Sequence, residues 1–143
     1  MDDSTDPRGA LEPPLDEAAL AQLVDRFYDK VRQDALIGPV FNAAVHDWPQ
    51  HKRLLTSFWS SITLRTGSYR GNPMAVHRGL SGVSEAHFSR WLELWWETTA
   101  EVLAPAEAAL LRQHAERIGT SLKLGMGLLP RGRDLGLPIV GRR

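Results

Sequence analysis

Residues 16–31, DEAALAQLVDRFYDKV, decide the fold class of this chain of 143 residues. Apolar side chains recur there at intervals of three and four, the period of an α-helix that buries one face. Asp16 stands directly before the pattern, where an N-cap is expected. The stretch predicts an amphipathic helix with Tyr28 on the flank of its buried stripe. That stripe consists of Leu20, Leu23, Val24, Phe27 and Val31.

Three further segments show the same helical period. A second helix is predicted to start at Trp48–Pro49, because proline is favoured in the first turn of a helix. A third is predicted from Ser84, and a fourth from about Pro105 to the glycines at 125 and 127. No run of alternating β-branched residues appears, so the predicted fold class is all-α.

Two stretches between these helices lack a helical period. Gly38–Pro39 is expected to end the first helix, with Phe41 in the connection that follows. Residues 66–73, TGSYRGNP, are rich in turn-forming residues and are expected to be irregular, as are residues 74–77 and 79–82. Residues 1–15 and 129–143 carry prolines and charges without periodicity, so we expect a disordered extension, one domain over 16–128 and a flexible tail.

Composition excludes several classes of function. The 17 basic and 17 acidic residues balance, so no global charge favours nucleic acid or an acidic membrane. The chain contains no cysteine, which removes disulfides and thiol nucleophiles. No signal peptide is recognisable, and no apolar run approaches the roughly 18 residues of a membrane span. We therefore expect a cytoplasmic, soluble domain without membrane or nucleic-acid partners.

Five histidines and five tryptophans are many for so short a chain. His77 follows an irregular segment between firm helices, a position typical of ligands, and imidazole is the usual protein ligand of heme iron. His51 belongs to the inward face of the second helix, where a histidine taken alone is more often a hydrogen-bonded core residue than a ligand. Tyr28 and Trp91 taken singly are better explained as packing residues, and only their combination with the histidines indicates a site.

The remaining histidines point to structural roles. His46 is expected to be solvated in the turn before the second helix. His87 is placed to help cap the third helix, and His114 is expected in the core. Trp95 and Trp96 would form an association patch if both faced outward.

Taken together, these residues make the sequence resemble the truncated hemoglobins of group III over residues 16–126. Phe27–Tyr28 and residues 38–42, GPVFN, are similar to the opening of that family. Residues 51–59, HKRLLTSFW, resemble its distal helix, and residues 66–73 with His77 resemble its proximal segment. Residues 87–92, HFSRWL, resemble its tryptophan-bearing helix.

The resemblance implies a two-over-two helical sandwich that binds heme b. His77 would be the protein ligand of the iron, with Tyr28, His51 and Trp91 around bound dioxygen or another diatomic gas. Arg70 and Arg78 are candidates to meet the propionates. The remaining cofactor-binding residues, beside Trp91, would be Phe41, Leu54, Leu55, Phe58 and Tyr69.

Three functions remain open on this basis. The first is reversible binding of a diatomic gas at the histidine-ligated iron. The second is a heme enzyme that detoxifies nitric oxide or peroxide with electrons from an external reductase, so enzymatic activity is left undecided. The third is a heme-free helical module in which the tryptophans serve only as core or docking surface.

Overall fold

The structure is a computed structural model that describes residues 15–69, 71–78, 80 and 82–128, with the backbone alone for residues 74, 75 and 78. Most of the predicted extension and the whole predicted tail lie outside these residues, and the division of the chain into three parts stays a prediction. Leu15, which we assigned to the extension, packs against the edge of the core.

Six helices make up the described part of the chain, and no strand is found there. The all-α prediction is therefore confirmed, and the four long helices begin and end close to the predicted residues. The helices are α1 (Glu17–Gln33), α2 (Gly38–Ala44), α3 (Trp48–Thr63), α4 (Pro73–Arg78), α5 (Glu85–Val102) and α6 (Pro105–Gly125).

Local signals explain where the long helices start. The carboxylate of Asp16 accepts the backbone N–H of Ala19 at 2.9 Å, and Asp47 accepts that of Gln50 at 3.0 Å. These bonds satisfy amide groups that the first turn of a helix leaves without a partner. Proline occupies the first turn of both α3 and α6, where its missing N–H costs nothing.

The long helices form two packed pairs. Helix α1 lies against α3 and also against α5, while α5 and α6 form an antiparallel hairpin. Helix α1 thus joins the two pairs, and it buries the whole predicted stripe, with Leu20, Leu23, Val24, Phe27 and Val31 at 0% exposure. This is the predicted two-over-two arrangement.

Stacked indole rings form the centre of the core. Trp95 is fully buried and lies between Trp59, at 4.7 Å between ring centroids, and Trp91, at 6.1 Å. Its indole N–H donates to the carbonyl of Leu111 at 3.1 Å, which satisfies its polar group. Trp96 is instead 43% exposed, so the two neighbouring tryptophans do not form a joint association patch.

Two segments predicted as irregular are short helices. Gly38–Pro39 begins α2 rather than ending α1, because proline suits the first helical turn. A Cβ at Gly38 would lie 3.0 Å from the carbonyl oxygen of Arg32, so glycine permits the sharp turn from α1 into α2. The segment containing His77 is helix α4, which also starts at a proline.

The predicted irregular stretch before α4 is confirmed and is anchored by hydroxyl groups. Ser60 is fully buried and lies 2.9 Å from the hydroxyl of Thr66, which lies 2.9 Å from that of Ser68. The backbone N–H of Tyr69 donates to Ser61 at 2.9 Å. These bonds hold the loop against α3 and so position Tyr69. Within the described residues, no helix is both long and apolar enough to cross a bilayer.

Candidate functional site

A cavity of about 840 Å³ lies between the helices and opens to solvent. Every described helix contributes to its wall, together with the loop at Tyr69. The structure brings all nine predicted site residues to this one cavity. They are Tyr28, Phe41, His51, Leu54, Leu55, Phe58, Tyr69, His77 and Trp91.

His77 reaches the cavity from α4 with its ring orientation fixed. Its Nδ1 lies 2.7 Å from the carbonyl oxygen of Pro73, one helical turn earlier. A carbonyl only accepts, so Nδ1 carries the proton and donates it. The neutral ring therefore keeps the lone pair of Nε2 free for another partner. This carbonyl contact is of the kind that orients histidines that bind metals.

Tyr28 reaches the cavity from α1 and is 4% exposed. Its ring packs edge-on against Phe27 at 4.7 Å and Phe41 at 5.7 Å, which leaves it little freedom to turn. Burial raises the pKa of its hydroxyl well above the usual range, and a hydrogen bond from the indole of Trp91 offsets only part of that shift. Tyr28 therefore stays a neutral phenol whose O–H can still donate.

His51 is half-buried on α3, between the rings of Tyr28 at 5.9 Å and Trp48 at 5.5 Å. Burial lowers its pKa, and the positive charge of a protonated His77 lowers it further. Both causes favour the neutral imidazole at pH 7. The two imidazoles line the same cavity.

The rest of the wall is mostly apolar. Leu54 is 45% exposed although it is apolar, because it faces the open cavity rather than a packed helix. Phe58 packs edge-on against Tyr69 at 5.1 Å. A Cβ at Gly71 would overlap the ring of Tyr69, so glycine at this position allows the tyrosine to lie flat along the loop.

Sequence reasoning missed several polar residues of the wall. His46 is exposed, as predicted, but it lines the cavity together with Gln50 and Arg53. Gln50 and Arg53 each precede an inward residue of α3, and this adjacency is the signal that could have found them. His87 caps α5 as predicted and also lines the cavity.

The predicted propionate partners cannot be placed in the same way. Arg70 and the side chain of Arg78 lie outside the described residues. In the described part, helices enclose a largely apolar cavity whose wall carries the imidazoles of His51 and His77 and the buried phenol of Tyr28. This is the arrangement of a globin.

Comparisons with known proteins identify the family. No family model matches the chain. A group 3 truncated hemoglobin of Campylobacter jejuni is 31% identical to it over 110 residues, which cover 74% of this chain and 87% of that protein. The crystal structure of a group III truncated hemoglobin from Campylobacter jejuni matches with a TM-score of 0.75 and 30% identity, over 83% of this chain and 95% of that one. The chain therefore belongs to the group III truncated hemoglobins. This family implies a heme-binding globin, which disfavours the heme-free helical module.

Proposed function

We propose that the chain binds heme b in this cavity, with His77 as the protein ligand of the iron, and that a diatomic gas such as dioxygen binds beside Tyr28, His51 and Trp91. The observation that carries the proposal is the orientation of His77. The carbonyl of Pro73 holds its Nδ1 at 2.7 Å and so leaves Nε2 as the free donor to a metal.

The residues of the cavity fit heme. Heme is a flat, largely apolar disc, and the wall offers the aromatic and aliphatic faces of Phe41, Leu55 and Phe58. The volume of about 840 Å³ lies in the range of ligand cavities. The chain contains no cysteine, so heme cannot be attached through thioether bonds. A non-covalently bound heme b is the form that this site supports.

When bound, the heme would supply an iron with one coordination position open to a diatomic gas. The protein contributes polar hydrogen atoms to that side of the cavity. Tyr28 is held neutral by burial, so its O–H remains a donor across physiological pH. The indole N–H of Trp91 also lowers the pKa of this hydroxyl, which is consistent with the indole lying beside it. Donors fixed before the ligand arrives stabilise negative charge without reorganisation.

Several donors at one position favour slow release of dioxygen over easy delivery. Each such bond in a dry pocket contributes about 1–3 kcal/mol. Ligand chemistry is therefore the second candidate function, in which nitric oxide or peroxide is detoxified with electrons from an external reductase. The cluster of Tyr28, His51 and Trp91 supports both candidates. Steady turnover of nitric oxide with an added reductase would favour the enzyme, and stoichiometric ligand uptake alone would favour the binding protein.

The first experiment is an absorption spectrum of the purified full chain, ferric and then reduced with dithionite. We expect a Soret band, and we expect His77→Gly to lose it or alter it and to recover it with added imidazole. His114→Gly is the matched control, because His114 is a half-buried histidine outside the cavity wall. A chain that shows no Soret band of protein-bound heme after addition of hemin would contradict the proposal. An unchanged spectrum in His77→Gly would also contradict it.

A further inference from the structure

Three hydroxyl groups link the start of α1 to the segment that precedes α4. The hydroxyl of Ser60, on α3, lies 2.8 Å from the carboxylate of Glu17 and 2.9 Å from the hydroxyl of Thr66. The hydroxyl of Thr66 in turn lies 2.9 Å from that of Ser68. We call Ser60, Thr66 and Ser68 the hydroxyl row. The row joins three parts of the fold that are separate in sequence: α1, α3 and the segment before α4.

The carboxylate of Glu17 decides which way the protons of the row point. A carboxylate only accepts, so Ser60 gives its single proton to Glu17 and can only accept from Thr66. Thr66 must then donate to Ser60, and by the same argument Ser68 donates to Thr66. The carbonyl of Ser57 offers Ser68 another acceptor, but at the longer distance of 3.3 Å. All three protons therefore point toward Glu17, and each bond strengthens the next.

The segment held by the row leads directly into the helix that carries His77. Pro73 begins α4 four residues after Tyr69, so the backbone keeps these two residues within about 14 Å of each other. Helix α4 has six residues and is too short to be stable alone. In the described part of the protein, α6 is the main helix against which α4 packs. The position of α4 therefore depends on the segment before it, and so does the Pro73 carbonyl that holds Nδ1 of His77.

We propose that Glu17 is a positioning residue for the iron ligand and that it acts through the hydroxyl row. Its carboxylate aligns the row, the row fixes the segment before α4, and that segment places the carbonyl that orients the ring of His77. The inference rests on the proposed function, because it treats His77 as the ligand of heme iron. Glu17 is exposed and lies outside the cavity wall, so its effect on the iron passes through the row.

Thr66→Val breaks the row in its middle and keeps the shape of the side chain. Hydrogen exchange of the full chain as purified, followed by mass spectrometry, reports on the segment through the amide of Tyr69, which donates to Ser61. We expect this amide to exchange about two- to twelvefold faster, the range for loss of one hydrogen bond. Thr66→Ser keeps the hydroxyl and should restore the wild-type rate. Thr63→Val is the matched control, because the hydroxyl of Thr63 donates to a carbonyl of its own helix.

The iron–histidine stretching band of the ferrous protein, read by resonance Raman spectroscopy, tests the effect on His77. We expect Thr66→Val and Glu17→Ala to shift or broaden this band, because both loosen the carbonyl that holds the ring. Glu17→Gln keeps an acceptor without the charge and should retain the wild-type band. Glu107→Ala removes an acidic residue from the first turn of α6 and should leave the band unchanged, as should Thr63→Val.

The two readouts separate the possible failures. Faster exchange with an unchanged iron–histidine band would show that the row anchors the segment without positioning His77, and would overturn the proposal. Unchanged exchange in Thr66→Val would show that the row does not hold the segment and would overturn it as well. An equal shift of the band in Glu107→Ala would trace the effect to charge at the start of a helix, with the same consequence. A wild-type chain without a Soret band would contradict the proposed function itself, which is a failure distinct from these three.

Discussion

At the scale of single residues, the chemistry of the cavity depends on which protons are present. Tyr28 stays a phenol because burial disfavours its anion, and His51 stays neutral because burial disfavours its cation. One cause, removal from water, thus acts in opposite directions on the two pKa values. The result is a neutral, hydrogen-bonding part of the wall in the cavity that His77 also lines.

The hydroxyl of Tyr28 provides the first prediction. Tyr28→Phe removes a donor fixed in a dry site, so dioxygen should dissociate about 5- to 150-fold faster, which corresponds to about 1–3 kcal/mol. The rate is measured by stopped-flow replacement of dioxygen with carbon monoxide. Tyr69→Phe is the matched variant, since it removes the other tyrosine hydroxyl of the chain and should change the rate far less. A Tyr28→Phe rate equal to that of the wild type would show that the hydroxyl does not reach the ligand.

At the scale of the elements, the turn between α1 and α2 is fixed by Asp34. Its side chain is 7% exposed and accepts the N–H groups of Leu36 and Ile37, each at 3.0 Å, and Nε of Arg90 at 2.7 Å. Three donors on one carboxylate tie the turn to α5. Because α2 carries Phe41, this contact also sets where that ring meets the cavity.

Replacement of Asp34 should therefore destabilise the fold in a pH-dependent way. Burial alone would raise the pKa of this carboxyl, but the N–H of Ile37, the guanidinium of Arg90 and the N–H of Leu36 together lower it. A carboxyl with a lowered pKa stabilises the folded state above its unfolded pKa of 3.8, and this contribution is lost as the pH falls through the folded pKa. Asp34→Asn should cost about 2 kcal/mol at pH 7, and the difference should shrink below pH 3.8.

Urea unfolding of the wild type and of Asp34→Asn between pH 7 and pH 2.5 measures the difference in their free energies of unfolding. Asp25→Asn is the control, because the side chain of Asp25 is 66% exposed and shares Lys52 with another carboxylate. Solvent screens such a pair, so its replacement should have a much smaller effect. If Asp34→Asn and Asp25→Asn lowered the free energy of unfolding at pH 7 by the same amount, Asp34 would contribute no more than an exposed surface charge.

At the scale of the whole molecule, the cavity interrupts the core. The stacked rings of Trp59, Trp95 and Trp91 fill one side, while Leu54 and Phe58 face open space on the other. Unfilled apolar walls forgo packing and remain in contact with water. A ligand that fills the cavity should therefore stabilise the entire fold, since it binds the folded state alone.

Thermal unfolding with and without hemin tests this coupling. At a free hemin concentration near 100 times the dissociation constant, stabilisation should be about 2.7 kcal/mol. For a domain of this size, that free energy raises Tm by roughly 5–10 °C. His77→Gly should show a smaller rise at the same hemin concentration, because one ligand bond is lost. An unchanged Tm in wild-type protein that has taken up hemin would show that hemin lies outside the cavity.

The sequence by itself determined the long helices, because their signals are local. The caps of Asp16 and Asp47, the prolines in first turns and the three-and-four spacing of apolar residues all act within a few residues of the chain. The family resemblance then predicted nine residues that the structure finds around one cavity. Their roles toward heme and its ligand remain proposals.

Only the tertiary structure decided the short helices and the polar residues of the cavity wall. Helices of six and seven residues are too short to be stable alone, so α2 and α4 depend on what they pack against. In the same way, Trp95 is core and Trp96 is surface because α5 meets α1 and α6 along one side only. The presence of Arg53 and His87 at one cavity depends on how α3 and α5 each pack against α1. That packing is set by contacts between residues far apart in the chain, which no local pattern contains.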